Sequence, residues 1–253
     1  MGKRRLDIDR HLKEWPFEFG EVSARKVSIA TTARETGRDV LQLRVDMGLL
    51  QMELVGRPDG VRPEGFDTYY DYLIASAFEE GEDFLLTAER CVEIDREFVQ
   101  FYHRRVAWLS LREYRQAILD ADHTLALMSF STAHAPDEHW AELHEQYRPL
   151  VLFHRTQAGA LAGVSERNPR AAVVSIDRGL HDLREVFRHQ GLADEFDQDE
   201  LIVKLKDMKS ALATQFDSQP SLDEQLAEAV ASEQYELAAE LRDRIADGQR
   251  TIG

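Results

Sequence analysis

The chain has 253 residues with 31 Lys and Arg against 47 Asp and Glu, a formal net charge of −16 that argues against a protein whose main task is to neutralise nucleic-acid phosphates. With 43% hydrophobic and 31% charged residues it can bury a sizeable core and is not disordered as a whole. Cys91 is the single cysteine, which excludes an internal disulfide framework and every Cys-pair zinc pattern. The start, Met1-Gly-Lys-Arg-Arg, is followed by charges where a signal peptide needs an apolar run, and nowhere is there an apolar run of the roughly 18 or more residues that a membrane span requires. A cytoplasmic location is expected.

In chain order, Lys3, Arg4 and Arg5 with Arg10 and Lys13 make a small basic patch, too thin for a nucleic-acid footprint. Val27-Ser-Ile reads as a strand, and Arg34-Glu-Thr-Gly-Arg-Asp as a polar turn. Val40 to Val55 alternates apolar and polar residues as a half-buried hairpin does. A turn at Met47-Gly48 would set Leu41 opposite Leu54, Leu43 opposite Met52 and Val45 opposite Leu50, with Gln42, Arg44, Gln51 and Glu53 on the other face. Such a hairpin is marginal alone, so its apolar face needs a lid, either Trp15, Phe17 and Phe19 or the helix that follows Gly65. The turn-rich run Gly56 to Gly65 closes this part.

From Phe66 onward, apolar residues three and four apart predict helices over 66–79, 82–94, 97–110, 113–128, 138–161, 169–189 and 198–215. Asn168-Pro169 places a cap and an N1 proline in the order a helix start requires, and Gly191 supplies a stop. Short connections favour antiparallel neighbours. Within residues 83–128, the alternation of large Tyr102, Trp108 and Tyr114 with small Ala107, Ala117 and Ala121 resembles a tetratricopeptide repeat, whose period is about 34 residues. Arg105 and Arg112 stand where that family has glycines, and Arg96 where it has a proline. The other reading of this stretch is a plain helical bundle.

The most specific pattern is at the C-terminal end. Pro220 stops the preceding element, Ser221 can cap a new helix and Glu224 completes a capping box. Leu222, Leu226, Ala229 and Val230 form one apolar stripe, Ser232-Glu-Gln interrupts it, and Tyr235, Ala238, Ala239, Leu241, Arg242 and Ile245 resume it on a second helix. Ala238-Ala239 permits close approach of the two helices. The run Tyr235-Glu-x-Ala-Ala-x-Leu-Arg-Asp-x-Ile resembles the signature of the UVR motif, a hairpin found in the excision-repair proteins UvrB and UvrC and in Clp-chaperone adaptors. The resemblance implies a protein-binding module that pairs with another UVR hairpin or another partner, with Leu222, Leu226, Val230, Tyr235, Ala238, Leu241 and Ile245 as the contact side and Arg242 with Asp243 fixing register by ion pairing. Asp217-Ser-Gln-Pro reads as a linker before it. A hairpin packed on the protein's own helices is the alternative.

The fold class expected is α+β but mostly α: a β-rich segment over 1–62, a TPR-like antiparallel helical array over 63–216, and a UVR helical hairpin over 217–253. No phosphate-cradling Gly-rich loop and no Gly-x-Ser-x-Gly elbow is present. His134, His139 and His144 recur every five residues, which spreads them around a helix and does not converge them on a metal. Asp120 and Asp122 stand just before His123, but neighbours in a helix point in different directions, so a catalytic dyad is not expected. The expectation is therefore a non-enzymatic scaffold or adaptor with no catalytic, cofactor or metal residues, no membrane contact and no direct nucleic-acid contact, docking another UVR-motif protein or a second copy. The alternatives are an accessory factor in nucleotide excision repair that binds UvrB or UvrC, and an adaptor of a Clp protease or a stress response. A site in the β-rich part, near Arg57-Pro-Asp-Gly or Asp67-Thr-Tyr-Tyr, is the enzyme alternative.

Overall fold

The computed structural model describes residues 8–29, 37–217, 226, 229–232 and 234–250. The basic cluster at Lys3 to Arg5, the residues Arg34 to Thr36 of the polar turn, Ser218 to Pro220 of the expected linker, the capping-box residues Ser221 and Glu224, and Leu222 lie outside them, as do the side chains of Asp243 and Ile245. Two compact units result, residues 1–205 and 206–253. The fold is mostly α with a small three-stranded antiparallel sheet towards the N-terminus.

The sheet runs β1 (Ala24–Ile29), β2 (Arg38–Val45), β3 (Gly48–Glu53), with β2 in the middle. Leu41 pairs with Met52, Leu43 with Leu50 and Val45 with Gly48. This register is displaced by two residues from the expected one, because the turn is made at Asp46-Met47 and not at Met47-Gly48. The cause is Arg44, whose Nη1 donates to the carbonyls of Asp46 (3.0 Å) and Gly48 (2.8 Å), while its Nε holds the Trp15 carbonyl at 2.7 Å. A shift of two preserves the faces, since side chains alternate with period two. Leu41, Leu43 and Met52 remain on one side and are buried. Arg38 and Asp39 lie in β2 and not in a turn.

The lid is also different from either candidate. Leu41, Leu43 and Met52 share a cluster with Ala107, Trp108, Ala117 and Ala158, from helices further along the chain. Phe19 is 98% exposed, and Trp15 instead donates to Ser23 Oγ at 2.7 Å and stacks under the Arg25 guanidinium.

Helices α1 (Asp9–Glu14), α2 (Tyr69–Glu80), α3 (Ala88–Ser110), α4 (Tyr114–Ala133), α5 (Glu138–Glu145), α6 (Arg148–Ser165), α7 (Pro169–His189) and α8 (Glu200–Asp217) follow the chain, and α9 (Tyr235–Arg250) lies in the second unit. Two expected helices, 82–94 and 97–110, are one: nothing between Ile94 and Glu97 breaks the backbone, and Thr87 caps the start. Conversely the expected 138–161 helix divides, because Pro149 supplies no N–H and begins a new helix. Asn168 Oδ1 accepts from Ala171 N at 3.0 Å, so α7 starts where its cap and proline place it.

Within the first unit α3, α4, α6 and α7 pack in succession. Arg112, between α3 and α4, has a φ of 60°, and the Glu113 amide reaches back to the Trp108 carbonyl at 3.0 Å to close α3. The α6–α7 contact is unusually close. A Cβ on Gly163 would sit 2.7 Å from the backbone nitrogen of Ala172, and one on Gly159 or Gly179 would strike Ser175 or Thr156. Small residues four apart on α6 therefore set how near α7 approaches.

Candidate functional site

The second unit carries the motif. Ala229, Ala238 and Leu241 are buried together with Leu226 half-buried against them. The Gln234 amide donates to the Ala229 carbonyl at 2.9 Å, which closes the first helix before α9 begins, and the Ala238 amide then donates to the Gln234 carbonyl at 2.9 Å. Alanine at 229 and 238 lets the two segments meet at short range, whereas Ala239, expected beside Ala238 at the approach, is exposed. Not every residue expected on the contact side is covered within the chain. Val230 is 53% exposed and Tyr235 68% exposed, because both point away from the Ala229–Ala238–Leu241 cluster, and Leu237 is also exposed at 43%. Arg242 is exposed at the surface of α9. The described hairpin thus has a small internal core and a second apolar set turned to solvent.

The first unit holds a buried polar network that sequence reasoning missed. Glu97 of α3 is fully buried; its carboxylate accepts from the Tyr69 and Tyr70 amides at 2.7 and 3.0 Å, holding the first turn of α2. His123 Nε2 lies 2.9 Å from Glu97 Oε1, and its ring stacks on Phe101 at a centroid distance of 3.8 Å. His123 is therefore partnered from α3 and not by its neighbours Asp120 and Asp122. Arg104 binds Asp120 in a bidentate pair and donates to the carbonyls of Glu53 and Gly56, joining α3, α4 and the end of β3. Burial raises the Asp120 carboxyl above its ordinary value, against the pull of Arg104. Arg57, 3% exposed, pairs with Glu93 at 2.8 Å and with Asp59 at 3.3 Å, which pins the loop after β3. Thr68 caps α2 by accepting from the Asp71 amide.

A signal for these charges was present. Ile94, Glu97, Phe101, Arg104 and Trp108 follow one another at three- and four-residue steps, so Glu97 and Arg104 occupy the apolar stripe of α3. A charge at such a position has to be paired when the stripe is buried.

The three spaced histidines go to separate places. His134 Nδ1 is 2.9 Å from the Phe130 carbonyl, His144 Nε2 pairs with Asp95 at 2.7 Å, and among the described residues no three His, Cys, Asp or Glu side chains gather as a metal set. The Cys91 thiol is buried, which pushes its pKa up and its reactivity down. Among the described residues no helix is long and apolar enough to cross a membrane.

Compared with known proteins, the chain matches none of the curated proteins and none of the solved structures. Its C-terminal hairpin does have a family: residues 218–247 match the family model described as the UvrB/uvrC motif, so this chain carries a UVR motif.

Proposed function

We propose that the chain is a non-enzymatic cytoplasmic adaptor that docks a protein partner, another UVR-motif protein or a second copy of itself, through the hairpin. The observation that carries this reading is the exposure of Val230, Tyr235 and Leu237 on a hairpin whose buried cluster, among the described residues, is Ala229, Ala238 and Leu241 with part of Leu226. A module of about 30 residues rarely supplies more than a few kcal/mol from one core, so covering a second apolar set on a partner is where further stabilisation is available. UVR motifs are associated with protein interaction and DNA repair, which makes the UVR hairpins of UvrB and UvrC the first partners to try.

The test uses the full chain and a Tyr235→Asp, Leu237→Asp variant, both exposed positions outside the small core. Light scattering after size exclusion reads self-association, and pull-down with isolated UvrB and UvrC hairpins reads hetero-pairing. The reading requires one of the two to be present in the wild type and lost in the variant. If the wild type is monomeric and binds neither hairpin, or if binding survives the double substitution, docking through this face is wrong.

A further inference from the structure

A cavity of about 430 Å³ lies in the first unit, among α3, α4, α5 and the start of α6. Its size falls within the range of small-molecule sites, about 300–1,000 Å³. The inner wall is apolar, with Met128 and Val151 each 3% exposed and Phe98 half-buried. Around the mouth, Val99, Leu143 and Tyr147 are 55%, 45% and 57% exposed, large apolar side chains left in water.

One charge is set into this wall. Arg105 is 1% exposed, yet among the described residues no carboxylate pairs with it. Its Nη1 donates to Thr124 Oγ1 at 3.0 Å, its Nε reaches His154 Nδ1 at 3.4 Å and its guanidinium lies 5.9 Å from the centre of the Tyr102 ring, leaving three of its five N–H donors without a hydrogen-bond partner among the described residues. Asp120, the carboxylate whose field reaches it, is already held by Arg104. Burial lowers the guanidinium pKa only to about 10, so the group is a cation at neutral pH. A buried cation without an anion is costly, and leaving it so is unusual. His154 cannot supply the anion, being itself a base.

We propose that this cavity binds a small monocarboxylate with an apolar body, the carboxylate pairing with Arg105 and the hydrocarbon lying against Phe98, Met128 and Val151. A carboxylate completes the guanidinium's hydrogen bonding in the planar, two-pronged geometry that arginine offers. A second anionic group is disfavoured because Asp95 stands at the mouth, 54% exposed and tied to His144. The ligand is thus amphipathic with one charged head, either a medium-chain fatty acid or an aryl-alkanoic acid.

The experiment is calorimetric titration of the full chain with octanoate and with 4-phenylbutyrate, each against its matching alcohol, octanol and 4-phenylbutanol. At least one acid should bind about tenfold or more tightly than its alcohol, the factor a charge-assisted hydrogen bond supplies. The better acid separates the fatty from the aryl source. Arg105→Met should abolish the acid preference while leaving the alcohol's affinity within about threefold, and Met128→Trp, which fills the inner wall, should weaken acid and alcohol together. Equal binding of acid and alcohol, an acid preference that survives Arg105→Met, binding that survives Met128→Trp, or no heat from either acid at millimolar concentration would each overturn the proposal. The acid-to-alcohol comparison is made on the unmodified chain, so it decides the matter even if Arg105→Met does not fold.

Discussion

Arg104 and Asp120 meet between α3 and α4 in a bidentate pair, with Nη2 2.7 Å from Oδ1 and Nε 2.9 Å from Oδ2, both side chains almost wholly buried. The same guanidinium holds the Glu53 and Gly56 carbonyls, so one residue links two helices to the sheet. Removing either partner leaves the other buried and unpaired. Asp120→Ala should therefore destabilise the chain by about 3–5 kcal/mol. Arg104→Met should do at least as much harm, because it also strands two carbonyls. Urea denaturation of the two variants and of the double variant measures this. A double variant less damaged than the sum of the singles is the expected result, since together they remove both charges.

The connection between α3 and α4 offers a gain in stability. Arg112 holds a φ of 60°, a left-handed conformation that disfavours a residue with a Cβ by roughly 1 kcal/mol. Arg112→Gly removes that strain and keeps the C-terminal closure of α3. A net stabilisation of up to about 0.5 kcal/mol is expected after the extra entropy of glycine in the unfolded chain, about 0.4–1 kcal/mol, is allowed for. Thermal unfolding should show a higher midpoint, and a lower one would mean that the arginine side chain contributes more than its backbone costs.

The close approach of α6 and α7 makes the opposite case for glycine. Gly163→Ala puts a Cβ 2.7 Å from the Ala172 backbone nitrogen and 3.0 Å from its Cα, atoms that no rotamer change can move aside. Alanine's better helix propensity offers up to about 1 kcal/mol in return, whereas overpacking of this kind costs about 1–3 kcal/mol. Net destabilisation is expected. Gly159→Ala meets chiefly the Ser175 hydroxyl, a rotatable group, and should be milder. Chemical denaturation that ranks Gly159→Ala as the worse of the two would show that the helices separate readily here.

What was legible in the sequence follows from how local each determinant is. The bounds of α7 were readable because Asn168, Pro169 and Gly191 sit at its ends and act within a turn. The UVR hairpin was readable because its pattern is dense and contiguous. The strand faces were readable from alternation, but their register was not, since it depends on Arg44 reaching over the turn to Gly48. The lid over Leu41 and Leu43 was missed for the same reason: Trp108 and Ala158 come from distant helices. Arg105 was visible only as a charge where a repeat family has glycine. Its meaning depends on α4, α5 and α6 closing a cavity around it, which no spacing within α3 encodes.

His154 gives the fold a pH dependence with a definite sign. Burial, assisted by the charge of Arg105, lowers its pKa from 6.5 to about 4, so the folded chain holds it neutral. The unfolded chain takes up a proton near pH 6.5 while the folded one does not, and stability therefore falls as pH drops from there towards 4. Above that window the contribution is fully present; below it the loss is complete. A shift of this size corresponds to an effect on the order of 3 kcal/mol across the window. His154→Gln cannot titrate and keeps a polar side chain near Arg105, so its stability should change less than that of the wild type between pH 6.5 and 4. Urea midpoints measured through the window for both proteins check this. Parallel curves would mean that His154 is protonated in the folded chain as readily as in the unfolded one.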